Sequence, residues 1–333
     1  MKTPKKWLQD PVLQERYHSA RIALMLPCLN EAPTLAKVIR DFRHELPGLD
    51  IYVFDNGSTD DSAKIARQEG AKVIPVSRRG KGFVVRKMFE AVEADYYILV
   101  DSDDTYDASG IWALLEPVLS GEADMMVGSR LSHFSGQAFR KFHRFGNWLI
   151  IRLINLIFRS QFTDICSGYR VMSRHFVKSI PFLRDGFEVE TELSVYSLIY
   201  GFSVEEAPLP YRHRPANSFS KLRTFQDGYK VLLTIVWLAR DLRPLLFFGI
   251  LGIALFFGLA LPAVYWIPNA NFLHTTLSMA AISLVTTGLI LNTLNNKFSE
   301  TQVLYRRQNN RSPNLPVDVS SPTIQDLRAA AQS

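Results

Sequence analysis

Tyr96 to Asp107 reads YYILVDSDDTYD. Tyr97 to Val100 is an apolar run of the kind that forms a fully buried strand. It ends on four carboxylates within seven residues: Asp101, Asp103, Asp104 and Asp107. In α/β proteins the carboxyl edge of a parallel sheet is where ligands bind. Alternate residues of an extended chain point the same way, so Asp101 and Asp103 are expected to face one site and Ser102 and Asp104 to face away. Two carboxylates that close repel unless a cation lies between them. An oxygen-only set with few protein ligands suits Mg²⁺ or Mn²⁺, with a substrate phosphate completing the shell. Three other readings compete: a helix N-terminus, a solvated acidic loop and an EF-hand. Asp107 suits the first, capping a helix from Ala108 to Leu119. The EF-hand fails, because Tyr106 stands where glycine is needed and Trp112 where the bidentate glutamate should be.

Outward from this stretch, strands and helices alternate. Strands are expected at Arg21–Leu26, Ile51–Phe54, Lys72–Val76 and Asp124–Ser129. Helices are expected at Ala32–His44, after Asp60 to Glu69, and after Arg79-Gly80-Lys81-Gly82 to Ala94. That alternation predicts a mostly parallel sheet with helices on both faces. Polar clusters follow consecutive strands: Asn30 and Glu31, Asp55 to Asp60, Asp101 to Asp107. Each alone is ordinary turn chemistry; three in phase converge on one sheet edge. Neither GxxxxGK[ST] nor GxGxxG after the first strand is present, which excludes those two phosphate-binding devices.

The 333 residues carry a formal charge of +6 and an isoelectric point of about 9.2. The charge is unevenly placed. Pro244 to Asn296 has no Lys, Arg, Asp or Glu, long enough for two spans of roughly 20 residues. These are expected at Pro244–Ile267 and Phe272–Leu294, with an uncharged turn at Pro268–Asn271. Arg240 and Arg243 precede the pair, and Lys297, Arg306 and Arg307 follow it. By the positive-inside rule this is a hairpin with both ends cytoplasmic. Ala138–Arg159, with five Arg/Lys and no acid, reads as a helix in the membrane interface; a core helix with a basic face is the plainer reading. Thr224–Arg243 reads as a juxtamembrane amphipathic helix. Met1–Ala20 is expected to hold a short surface helix, and Ser312–Ser333 reads as a disordered tail. No apolar h-region follows MKTPKKWLQD, so no secretory signal is expected. Cys28 and Cys166 are expected to be free thiols. Tyr211 to Leu222, YRHRPANSFSKL, is basic and serine-rich, the composition of a phosphate-binding loop. Glu190 and Glu192 are expected only to begin a helix.

Taken in order, LPCLNE, FDNGSTD, RGKG, VDSDDTYD, DICSGYR and SFSKL resemble glycosyltransferase family 2. Within it the resemblance is to the polyprenyl-phosphate glycosyltransferases, the group that includes dolichyl-phosphate mannose synthase. It covers roughly Arg21 to Leu222, and the hairpin resembles that of two-helix bacterial members. It implies a GT-A fold over residues 21–222, juxtamembrane helices, and a two-helix transmembrane hairpin at 244–296. Pro27, Asn30, Glu31, Asp55, Gly57, Lys81 and Asp101 are implied to bind a nucleotide-sugar, UDP- or GDP-linked. Asn56 departs from the family's DDGS motif, and Thr105 stands where some members have Gln. Asp101 and Asp103 are implied to hold Mg²⁺ or Mn²⁺. Asp103, Asp164 and Arg170 are the implied catalytic residues. Arg170, Arg214, Ser218, Ser220 and Lys221 are implied to bind the lipid phosphate. Asp164 is read either as a base or as the organiser of Arg170. The implied activity is inverting transfer to a polyprenyl phosphate at the cytoplasmic membrane face. The expected partners are donor, lipid acceptor and bilayer, with no nucleic acid and room for a homo-oligomer. A different acceptor, a polysaccharide synthase, a nucleotidyltransferase and a membrane-tethered sensor are the alternatives. QxxRW is absent, the first loop is not glycine-rich, and SFSKL is present, which disfavour the last three in turn.

Overall fold

The computed structural model describes residues 10–130, 139–180, 188–212, 214–215, 224–267 and 271–309. The segment before Asp10, Ser218, Ser220, Lys221, the turn at Pro268 and the C-terminal tail lie outside them. The chain divides after Arg243 into two compact units.

The first unit begins with a short helix, α1 (Pro11–Ser19), and then alternates. It runs β1 (Ile22–Cys28), α2 (Ala32–Glu45), β2 (Asp50–Asp55), α3 (Ser62–Gln68), β3 (Lys72–Pro75), α4 (Lys81–Ala91), β4 (Tyr96–Leu99), α5 (Ile111–Ser120) and β5 (Met125–Ser129). The second half is α6 (Phe139–Phe158), β6 (Arg170–Ser173), α7 (Arg174–Ser179), α8 (Val189–Ile199), β7 (Val204–Pro208) and α9 (Thr224–Leu242). The seven strands form one sheet in the order β3-β2-β1-β4-β6-β5-β7. All neighbours are parallel except β6, which runs against both β4 and β5.

β1 is buried on both faces, so its sequence does not alternate. Leu24 and Leu26 enter one core with Val53, Ile98 and Val171. Ala23 and Met25 enter the other with Phe54, Tyr97 and Leu99. Successive strand residues thus divide between the two faces. α2 covers the first face with Leu35, Val38, Ile39 and Phe42, a helical-period stripe. α4 covers the second with Val84, Val85 and Met88. A third core joins α6, α8 and α9 through Ile150, Ile154, Val195, Val231, Ile235 and Leu238.

Strand direction brings the loops together. The C-terminal ends of β1–β5 and β7 lie on one edge of the sheet, and so does the N-terminal end of the reversed β6. Between β1 and β4 the strand order turns back, the switch point where doubly wound sheets open a crevice.

The second unit is α10 (Pro244–Leu255), a wide turn at Phe256–Ala260, α11 (Leu261–Trp266) and the long α12 (Asn271–Asn309). Two stretches, Pro244–Trp266 and Asn271–Phe298, are long and apolar enough to cross a membrane. The wide π-type turn precedes Pro262, whose ring would clash with the carbonyl four residues back in a regular α-helix. The helices approach closely at glycine. A Cβ on Gly252 would fall 2.8 Å from the Ala281 carbonyl, and one on Gly288 3.1 Å from that of Pro244. Such small-residue seams are how apolar helices pack.

Candidate active site

The loops after β1 and β2 are tied to each other. Asn30 sits in the left-handed region (φ 52). Its N–H donates to Ser58 Oγ at 3.0 Å, and its Oδ1 accepts from the Thr59 N–H at 2.7 Å. Asp55 accepts from the Ser58 N–H at 2.9 Å, a local Asx turn. Gly57 has φ 82, and its carbonyl accepts from Arg79 at 3.2 Å. Asn56, the departure from DDGS, is buried and fully used. Its amide donates to the Val76 and Arg78 carbonyls at 3.0 and 2.7 Å, while its Oδ1 accepts from the Gly80 N–H at 2.9 Å. It holds the loop that launches α4. The Pro27 carbonyl accepts from Ser102 Oγ at 2.7 Å, linking the end of β1 to the acidic stretch.

That stretch corrects the expectation of extended-chain alternation. β4 stops at Leu99, and Asp104 is left-handed (φ 58), so the carboxylates are sorted by partner rather than by pleat. Asp101 Oδ1 lies 2.6 Å from Lys81 Nζ. Asp103 is buried; its Oδ1 accepts from the Thr105 N–H and hydroxyl at 3.1 and 2.5 Å, and its Oδ2 pairs with Arg214. Asp104 faces Lys37 at 2.7 Å and Arg212 at 3.6 Å. Asp107 accepts from the Ser109 N–H at 3.0 Å, capping the short turn Ala108–Gly110 before α5.

Lys81 also lies 2.5 Å from Glu190 Oε1. Burial works against its ammonium, but the Asp101 and Glu190 carboxylates outweigh burial and push its pKa up. Glu31 is buried, its N–H donating to Ser62 Oγ at 2.9 Å and its Oε1 lying 3.9 Å from Arg214 Nη1. Tyr211, Arg212 and Arg214 are fastened onto the acidic stretch. The Arg212 N–H donates to the Thr105 carbonyl at 2.7 Å, and its guanidinium to Asp107 at 2.7 Å. The Tyr106 and Tyr211 rings meet edge-on at 5.3 Å.

DICSGYR overturns two expectations. Arg170 is fully buried and does not face the crevice. Its guanidinium donates to the carbonyls of Ile165 (2.7 Å), Ser167 (3.0 Å) and Glu190 (2.9 Å), and to Ser194 Oγ (3.0 Å). It is an internal brace with no donor directed at an acceptor phosphate. Asp164 in turn organises a different arginine. Its Oδ2 accepts from Arg130 Nε at 2.7 Å and its Oδ1 from Arg130 Nη2 at 2.8 Å; the Arg130 N–H adds a third bond at 3.0 Å. Arg130 keeps a 22% exposed side chain directly after β5. Position could have revealed it, since it follows a strand as the other site residues do. Glu190 was legible only as a helix-starting acid.

At one edge, then, an acidic loop lies beside Arg130 and Arg214. Asp101 and Asp103 offer only oxygens, each already facing a cation. Among the described residues no three of His, Cys, Asp and Glu gather for a metal, so an ion here would need oxygens from a ligand. This fits a hard divalent cation carried with a diphosphate.

Comparison with known proteins agrees with this architecture. Residues 24–180 match the model of glycosyl transferase family 2. Glycosyltransferase AglJ of Haloferax volcanii is 32% identical over 275 residues, 81% of this chain and 90% of that protein. A dolichyl-phosphate hexose transferase of the same organism is 26% identical over 215 residues, 65% of this chain and 92% of that one. Glucosyl-3-phosphoglycerate synthase of Mycobacterium tuberculosis, solved with Mn²⁺, UDP-glucose and phosphoglyceric acid, superposes with a TM-score of 0.56. It is 21% identical and covers 68% of this chain and 81% of that one, a likeness of fold. With AglJ 32% identical along 90% of its length and the family model matched, the chain belongs to glycosyl transferase family 2.

Proposed function

We propose that the protein moves a hexose from a UDP- or GDP-sugar to a polyprenyl phosphate at the cytoplasmic face of the inner membrane, with inversion. The observation that carries this is the gathering at one sheet edge of three ion pairs, Asp101 with Lys81, Asp103 with Arg214 and Asp164 with Arg130, in a chain that also has two membrane-length helices. The relative described as a dolichyl-phosphate hexose transferase and the neighbour solved with Mn²⁺ and UDP-glucose support it.

The nucleotide lies across the loops at Pro27, Asn30, Glu31, Asp55 and Gly57, with Lys81 and Asp101 toward the diphosphate. Asp101 and Asp103 would hold Mg²⁺ or Mn²⁺, which supplies positive charge to a departing nucleoside diphosphate. An acceptor phosphate oxygen attacks the anomeric carbon from the side opposite the diphosphate. The new carbon–oxygen bond forms as the bond to the diphosphate breaks, and the electron pair leaves with the diphosphate. The second pKa of a phosphate monoester is about 6, so the nucleophile is already ionised at neutral pH and needs no base. The harder task is to bring two anions together, which demands preorganised cations. Arg214 and Arg130 take that role, with Ser218, Ser220 and Lys221 supplying the rest of the acceptor loop. Asp164 fixes Arg130 in a bidentate pair and is an organiser.

Membrane attachment follows from the hairpin, with both ends cytoplasmic. Trp148 and Leu156 on α6, and Leu233, Val236 and Trp237 on α9, are exposed. The Arg240 guanidinium lies 4.9 Å over the Trp237 ring. Tryptophan and arginine together suit a lipid interface.

The test is incubation of the detergent-purified protein with radiolabelled UDP- and GDP-hexoses and undecaprenyl phosphate, counting the lipid phase. Label is expected there only with the lipid phosphate present. Transfer to water-soluble acceptors alone would overturn the lipid reading and leave the family intact.

A further inference from the structure

We propose that Glu190 is a positioning residue for the cation-binding end of the site: it counterbalances Lys81, so that Asp101 stays negative enough to take a divalent cation. This rests on the reading that Asp101 and Asp103 bind such an ion.

Lys81 Nζ is 2.6 Å from Asp101 and 2.5 Å from Glu190, with side chains 12% exposed for the lysine and 5% for the glutamate. Charges this shielded from water act strongly on one another. A lysine paired with Asp101 alone would make a neutral pair, and an arriving cation would meet the ammonium uncompensated. With Glu190 present, the three side chains carry one net negative charge. An acid in a first helical turn can serve the helix dipole alone, but such a group sits in solvent. Glu190 is buried and bonded to a lysine from α4.

Its placement is enforced from behind. The Glu190 carbonyl accepts from Arg170 at 2.9 Å and from Ser194 Oγ at 3.0 Å. The same arginine holds the Ile165 and Ser167 carbonyls. The residue after Ser167 is Gly168, where a Cβ would collide with Asp101 Oδ2. Asp101 is therefore bracketed on one oxygen by Lys81, which Glu190 holds in turn, and by a bare backbone on the other. Arg170 acts through both brackets, which explains why an arginine is buried there. The other carboxylate has a looser version of the same arrangement: Asp103 pairs with Arg214, and Glu31 lies 3.9 Å from that guanidinium.

The experiment is titration of the full-length protein with Mn²⁺ followed by electron paramagnetic resonance, alone and with UDP or GDP. Binding lost in Asp103→Ala is counted as the site. Glu190→Gln keeps the acceptor oxygen and the shape and removes the charge. It should weaken Mn²⁺ binding by about tenfold. Adding Lys81→Met to it restores one net negative charge and should recover most of the affinity, which a purely structural role could not produce. Should Glu190→Gln not fold, Lys81→Met alone carries the test: it leaves two uncompensated carboxylates, and Mn²⁺ should bind tighter at pH 8. Unchanged Mn²⁺ affinity in Glu190→Gln, a double variant no tighter than the single, or weaker binding in Lys81→Met overturns the role of Glu190 and leaves the metal reading standing. No Mn²⁺ binding by the wild type with either nucleotide overturns both.

Discussion

The two halves of the sheet build the same edge in different ways. In the half made of β3, β2, β1 and β4, every strand runs toward the site, and polar residues stand at or after each strand end: Asn30, Asp55, Lys81, Asp101. In the half made of β6, β5 and β7, one strand is reversed. Arg130 and Arg214 follow strands as before, but Asp164 and Gly168 reach the edge from in front of β6. Arg170, at the start of that strand, lies opposite Leu99 on one side and Val127 on the other, inside the sheet. The parallel half spends an uncharged motif residue, Asn56, on bracing its loops, whereas the mixed half buries a full charge, Arg170, as a brace. A charged residue in a motif marks the neighbourhood of a site, and strand direction decides whether its side chain faces substrate or core.

The comparison can be broken most directly on the parallel side. Asp103→Ala should lower transfer by about a thousandfold or more, the scale expected for losing a metal that stabilises a leaving group. Excess EDTA should do the same to the wild type, with Mn²⁺ or Mg²⁺ restoring the rate. Full activity in excess chelator would remove the metal from the mechanism.

On the mixed side the two arginines should part company. Arg170→Ala leaves four buried oxygen acceptors without their donor and should cost about 3–5 kcal/mol of stability, read as a lower denaturant midpoint of the detergent-solubilised protein. Arg130→Ala should cost less, about 1–3 kcal/mol, because the buried Asp164 loses the guanidinium but keeps the backbone N–H of residue 130. Its transfer rate should fall by about a hundredfold, mostly through the apparent affinity for lipid phosphate. The reverse pattern would return Arg170 to the acceptor.

Asp164→Asn tests how that second arginine is held. As an organiser it should lower the rate by about tenfold or more, similarly from pH 5.5 to 8.5. Combining it with Arg130→Ala should add little, because residues acting as one unit are non-additive. A base would behave otherwise: its loss would matter below a pH of about 6, where the phosphate is monoanionic, and would vanish above. Rescue at high pH would therefore make Asp164 a base.

The smallest effect belongs to Gly168→Ala. The added methyl would press on the Asp101 carboxylate, and donor affinity should drop by a few-fold with the fold intact. Gly146→Ala is the control, since open space surrounds that Cβ and alanine favours the helix by about 1 kcal/mol. Equal donor affinity in the two variants would show that the Gly168 approach has no bearing on Asp101.

Much of the architecture is legible in the sequence. The apolar runs at Ile22–Cys28 and Tyr96–Leu99, the phase of Asn30, Asp55 and Asp101 after their strands, and the charge-free stretch from Pro244 to Asn296 are local patterns. Hydrophobic periodicity and turn chemistry act over a few residues, so the sequence carries them openly. It also determined the two-helix hairpin pattern, the acidic loop and, through motif order, the family.

The tertiary structure alone decided the direction of β6 and, with it, the fate of the charges around that strand. Whether Arg170 reaches a phosphate or braces Glu190 depends on strands β4 and β5, which pair with it from distant parts of the chain. Which arginine Asp164 holds depends on the end of β5, 34 residues upstream. Lys81 meets Glu190 only because α4 and α8 cover the same face of the sheet. Ion pairs of this kind join residues with no sequence relation, and burial sets their strength. The folded chain, by setting both distance and burial, chooses which charges act.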